Sequence, residues 1–162
     1  MKSGLAAGMV AALIAADVAN ASTPAWKFLC YPGFVESVDA LVGADAVDCQ
    51  FLDRREEELP DVTRQSAADC VAEALEEKKP FKFGTVQAGS DVVYVLMRSA
   101  ANELWTVRYS RNIANQHLHE TQVNQVCANV MFDAATLLFH GIDCKLVSNG
   151  GLPTYVRPNP GH

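Results

Sequence analysis

No run of three or more lysine or arginine residues occurs anywhere in these 162 residues, and acidic side chains outnumber basic ones by 19 to 13. With a formal net charge of −6 and no basic stripe, nucleic acid is not an expected partner. There is no C-x-x-C pair, so no metal site is expected through cysteine. The sequence also lacks G-x-S-x-G, H-E-x-x-H, a glycine-rich phosphate loop and an EF-hand loop, which removes the chemistries those motifs carry. Carboxylates are plentiful but lie in charge runs, so no pair suited to glycoside cleavage can be picked out. No cofactor is implied. Beyond the N-terminal segment, no apolar stretch approaches the about 20 residues that a membrane helix needs.

The N-terminus is more specific. "MKSGLAAGMVAALIAADVANA" opens with Lys2, continues through an apolar run and ends in Ala19-Asn20-Ala21. Basic start, apolar middle and small-x-small end are the layout of a secretory signal peptide, predicted over residues 1–21 and cleaved. Asp17 and the shortness of the run argue against a membrane span. A charged residue, Lys27, three positions before Cys30 argues against lipoprotein processing. The expected product begins near Ser22. It has one domain over 22–152 and an extended or loosely ordered tail over 153–162, where three prolines fall. The expected location is the periplasm or the exterior of a bacterium, with no membrane span after cleavage.

Within the domain, Phe34, Val38, Leu41 and Val42 keep helical spacing, with Gly43 as a stop. "AVDCQFL" alternates Val47, Cys49 and Phe51 against Asp48 and Gln50, a strand with one buried face. The charged stretch 53–61 reads as a solvated loop. Over 66–79 the positions Ala67, Cys70, Val71, Ala74 and Leu75 form one apolar stripe, with Ser66 and Asp69 placed as a capping box. Three strand signals follow, 81–86, 92–98 and 103–109, separated by turn residues and expected to form an antiparallel meander. The middle one is apolar on both faces and is placed centrally. Val123, Val126, Cys127, Val130, Met131, Ala134, Leu137 and Leu138 fit a long helix over about 118–139, which His140 and Gly141 would close. "IDCKLV" (142–147) then alternates as a last strand. Helix, strand, helix, meander, helix, strand predicts an α+β two-layer sandwich: a largely antiparallel sheet of about five strands with the helices on one face.

Five cysteines enter an oxidising compartment on this reading, so disulfides are the default expectation. Cys49 and Cys144 fall on inward faces of strands, Cys70 and Cys127 on apolar stripes of helices. Helix-to-strand staples follow, with Cys49–Cys70 and Cys127–Cys144 favoured because each joins consecutive elements. Cys49–Cys127 with Cys70–Cys144 is the alternative, and Cys30 is left over.

One cluster has chemical promise. "NQHLHE" (115–120) places His117, His119 and Glu120 within four residues, with Arg111 just before them. Two imidazoles beside an arginine could perform acid–base work on a phosphodiester. The plainer account is a polar loop leading into the helix, with Glu120 beside the positive end of its dipole. Trp105 and Tyr109 share one strand face and would stack on a ligand if that face were open; most such rings are core. The expected function is therefore a small exported binding or interaction protein whose partner is an unidentified protein or small molecule. A small secreted hydrolase using His117 and His119 is the alternative, and assembly through an edge strand or the tail is a third.

Overall fold

The computed structural model describes residues 34–54, 59–86, 92–114 and 117–147, with the backbone alone over 111–114 and 117–120. The expected signal segment, Cys30, the turn expected at 88–91 and the tail lie outside the described residues. The elements run α1 (Phe34–Val42), β1 (Val47–Asp53), α2 (Asp61–Glu76), β2 (Phe81–Val86), β3 (Val92–Arg98), β4 (Leu104–Ala114), β5 (His117–Asp133) and β6 (Leu138–Leu146). The six strands form one sheet in chain order, β1 to β6. β1 and β2 are parallel, joined through α2, and every later pair is antiparallel. The sheet is thus mostly antiparallel, with six strands where five were expected.

The layering differs from the expected sandwich. α1 buries Phe34, Val38 and Val42 against Val93, Val95 and Met97 of β3 and against Trp105, Val107 and Tyr109 of β4. α2 buries Ala67, Ala68, Val71 and Ala74 against Phe81, Phe83, Leu96 and Leu104. In a strand, neighbours in sequence face opposite sides, so Val95 and Leu96 belong to opposite faces and each helix covers its own. This is why β3 is apolar at nearly every position: a strand covered twice shows no alternation. α2 also begins earlier than the capping-box pattern implies. Pro60 is its N-cap without any side-chain cap bond, and Ser66 lies inside the helix. Its N-terminus is tied instead by the Asp61–Arg64 ion pair, with a Gln65–Asp69 hydrogen bond one turn on.

The larger correction concerns 118–139, which is most of β5, a turn and the start of β6 rather than a helix. Thr121, Val123, Asn124, Val126, Asn129 and Val130 are β-branched or amide residues of modest helix propensity. β5 pairs with β4 through His117–Cys127 and with β6 through Gln125–Asp133. Its second half therefore runs past the start of β4 as a two-stranded arm. That arm folds back over the α2 face. Phe132 and Phe139, paired across it, meet the Phe83 ring edge-on at 5.8 and 6.4 Å, and Phe139 also meets Tyr94 at 6.4 Å. At the tip Leu137 is fully buried in the α2 cluster, and the Thr136 carbonyl accepts a 2.7 Å hydrogen bond from Arg54 at the far end of β1. His140 and Gly141, expected as a helix stop, sit mid-arm opposite Met131 and Val130. Asp133 closes the tip, accepting from the Ala135 N–H at 2.9 Å and the Thr136 hydroxyl at 2.6 Å. The Thr136 hydroxyl first, then the Ala135 N–H, hold its carboxyl below the usual range. A depressed folded pKa contributes stability above the unfolded carboxylate pKa, and that contribution is lost as pH falls through the folded value.

Two disulfides staple the fold. Cys49–Cys70 ties β1 to α2, and Cys127–Cys144 joins directly opposite residues of β5 and β6, with Cα atoms 3.9 Å apart. The second bridge is thus strand to strand, not helix to strand. It lies where the arm folds: Asp143 beside it takes φ +51°, and the ladder resumes at Asn129–Ile142. Gly141 is drawn onto the bridge, so that a Cβ there would lie 2.3 Å from the Cys144 sulfur and 2.5 Å from that of Cys127. Gly141→Ala is expected to destabilise by about 1–3 kcal/mol, as overpacking against a group that cannot rotate away. The denaturation midpoint of the oxidised protein reports it, and an unchanged midpoint with the bridge intact would refute the crowding.

Candidate functional site

A cleft of about 330 Å³ opens between α1 and the β1–β2 edge of the sheet. Its form begins with a β-bulge. In β1 the register against β2 slips between Asp48 and Phe51, and Gln50 takes φ +75°. Such a bulge inserts one unpaired residue and reverses the alternation beyond it. Cys49 and Leu52 consequently both face the α2 core, while Phe51 packs with the α1 cluster. The regular alternation expected of Val47, Cys49 and Phe51 does not hold, and Asp48 and Phe51 come to line the same cleft. Asp48 supports the bulge, accepting the Gln50 N–H at 3.0 Å.

Phe51 stands opposite Gly84 in the ladder, and its ring fills the space where a side chain of that residue would stand. Glycine here is what allows the aromatic wall. α1 contributes Phe34 and Val38 to the apolar lining. At the rim, Lys82 reaches Asp39 of α1 at 2.5 Å and Asp48 of β1 at 3.3 Å. Burial works against the Lys82 charge, but the hydrogen bond to Asp39 and the charges of Asp48 and Asp39 outweigh it, and its pKa lies above the ordinary lysine value. The arrangement is an apolar slot with three fixed charges at its mouth. It is suited to holding a small molecule by shape and charge.

The sequence-derived candidates lie elsewhere. Trp105 and Tyr109 are 3% and 1% exposed. Tyr109 packs against Phe34 with ring centres 5.8 Å apart, and the Trp105 indole N–H donates to Glu103 at 3.2 Å. α1 lies over this face, so neither ring is an open stacking platform.

His117 and His119 are on β5 opposite Ala114 and Asn112, and Glu120 is opposite Arg111. By strand alternation, positions 117 and 119 share one face of this ladder and positions 111 and 120 take the other. Residues 117–120, expected as a polar loop leading into a helix, are instead the start of β5. The side chains of 111–120 lie outside the described part. Among the described residues no cluster of three or more histidine, cysteine, aspartate or glutamate side chains could hold a metal ion, and no helix is long and apolar enough to cross a membrane.

Lys82, Asp39, Asp48 and Phe51 were not candidates from the sequence. The only local signal was "FKF", a lysine alternating with aromatics in a strand, which equally describes any half-exposed strand. Comparison with known proteins finds no matching family model, no matching curated protein and no matching solved structure.

Proposed function

We propose that this chain is an exported binding protein that works by non-covalent recognition, with the cleft between α1 and β1–β2 as its site. One observation carries the proposal: an apolar concavity of about 330 Å³, walled by Phe51 and α1, with charged groups held at its rim. Ligand sites have this character, and the volume falls within their usual range. Export to an oxidising compartment is supported by the two disulfides and by the signal-like N-terminus.

In the oxidised protein, titration with a small neutral aromatic such as phenol is expected to shift the Gly84, Phe51 and Val95 amide resonances first. Val38→Trp, which fills the slot, should abolish that response. Shifts spread evenly over the surface would remove the cleft as a binding site.

The hydrolase alternative is supported by the register alone, which places His117 and His119 two residues apart on one strand. The same register sets Arg111 and Glu120 at positions of the opposite face. Turnover of an aryl phosphodiester that is lost in His117→Ala would establish the hydrolase and displace the binding proposal.

A further inference from the structure

We infer that the cleft selects a compact amphipathic cation: a primary ammonium or guanidinium carried on a short apolar stem. This rests on the binding function proposed above and takes it to a ligand class.

The rim carries two carboxylates, Asp39 and Asp48, against one ammonium, Lys82, and its surplus charge is negative. The carboxylate side chains are 49% and 62% exposed while that of Lys82 is 27% exposed. An approaching ligand therefore meets carboxylate oxygens before it meets the lysine. Lys82 is already engaged by both carboxylates. An anion could reach it only by displacing one of them, against repulsion from the other.

A cation needs no displacement. A carboxylate offers about four acceptor positions. Asp39 gives Oδ1 to Lys82, and Asp48 divides its oxygens between Lys82 and the Gln50 N–H. Acceptor positions remain on both, and a new N–H donor would form charge-assisted bonds there.

Below the rim the lining turns apolar at Phe34, Val38 and the Phe51 ring, where a stem would lie. The volume is at the small end of ligand sites, which favours a stem of one ring or a short chain over a lipid tail. Position and sign thus coincide. The negative rim is held by the same bulge and the same lysine bridge that shape the slot.

The test is an amide-resonance titration of the oxidised full-length protein with three probes of one shape: phenethylammonium, 3-phenylpropionate and 2-phenylethanol. Phenethylammonium is expected to move the Gly84, Phe51 and Val38 amides with a Kd about tenfold or more below that of the other two, the scale of one charge-assisted bond. Asp39→Asn combined with Asp48→Asn should erase that preference. Lys82→Met should tighten phenethylammonium binding, a gain that partial unfolding cannot produce. If the carboxylate or the alcohol binds as tightly at these amides, the cation assignment is overturned and the cleft remains a binding site. If none of the three moves them, both the assignment and the cleft's role are overturned.

Discussion

Leu137→Ala is expected to lower the unfolding free energy by about 3–4 kcal/mol, within the range for a fully buried leucine whose site cannot collapse. Leu137 is the tip of the folded-back arm and has no exposed surface. It belongs to one core with residues of β1, α2, β2 and β3, namely Cys49, Leu52, Ala68, Phe83 and Leu96, and is the point where β1 and the β5–β6 arm, four and five positions away in the sheet, share that core. Collapse is opposed because the Cys49–Cys70 bridge fixes β1 to α2 on one side. The residue is also held at φ +57°, a backbone region unfavourable for any side chain except at special turns. Burial of the leucine offsets that cost, so shortening it removes the contacts and leaves the backbone in place. Urea unfolding of the oxidised protein measures the loss. Leu138→Ala is the control, since Leu138 is 49% exposed on the outer side of the arm, and it should change stability by no more than about 0.5 kcal/mol. Equal effects at 137 and 138 would contradict the fold-back.

What the sequence could and could not disclose follows from how local each determinant is. α1 was legible because Phe34, Val38 and Val42 form a stripe within one helix. The meander was legible because turn residues separate its three strands. β5 was not. Val123, Val126, Cys127 and Val130 satisfy helical spacing, yet they are apolar because β5 faces different neighbours along its length: Val126 packs toward α1 and Val130 toward α2. A strand that changes its covering face partway has no single period, and periodicity alone could not separate it from a helix. The two cysteine-bearing strands, "VDCQFL" and "IDCKLV", had a similar limit. Each contains a positive-φ residue beside its cysteine, Gln50 in one and Asp143 in the other. Neither is glycine, so nothing in the residue type announced the bulge that aims Phe51 or the fold that turns the arm. The cleft was least legible of all. Asp39, Asp48 and Lys82 come from α1, β1 and β2, and they meet only once those elements pair and the bulge has reversed the alternation.

The two disulfides should each contribute about 3 kcal/mol, because they close loops of similar size, with sequence separations of 21 and 17. On the chain-entropy account those lengths differ by only a few tenths of a kcal/mol. Cys49→Ala with Cys70→Ala, and Cys127→Ala with Cys144→Ala, are therefore expected to lower stability almost equally in urea. A gap above about 1 kcal/mol would place the difference in the native state, where chain entropy does not act. Their local consequences should differ. Cys127–Cys144 sits at the crook of the arm, and the arm beyond it is held to the sheet by Phe132, Leu137, Phe139 and the Arg54 bond. Without the bridge, backbone amides over 130–139 should exchange through a local opening well before those of β2 and β3. Without Cys49–Cys70, the early loss should fall on α2. Uniform loss across the sheet in both variants would show that neither bridge confines a local opening. Reduction removes both terms together, about 6 kcal/mol on the same account, against the 5–15 kcal/mol that holds an ordinary domain folded. Full reduction without any substitution should accordingly lower the urea midpoint by about 2 M or more, on a slope of about 1–3 kcal/mol per M, and a reduced protein that still unfolds at its oxidised midpoint would sever the link between these cysteines and an oxidising compartment.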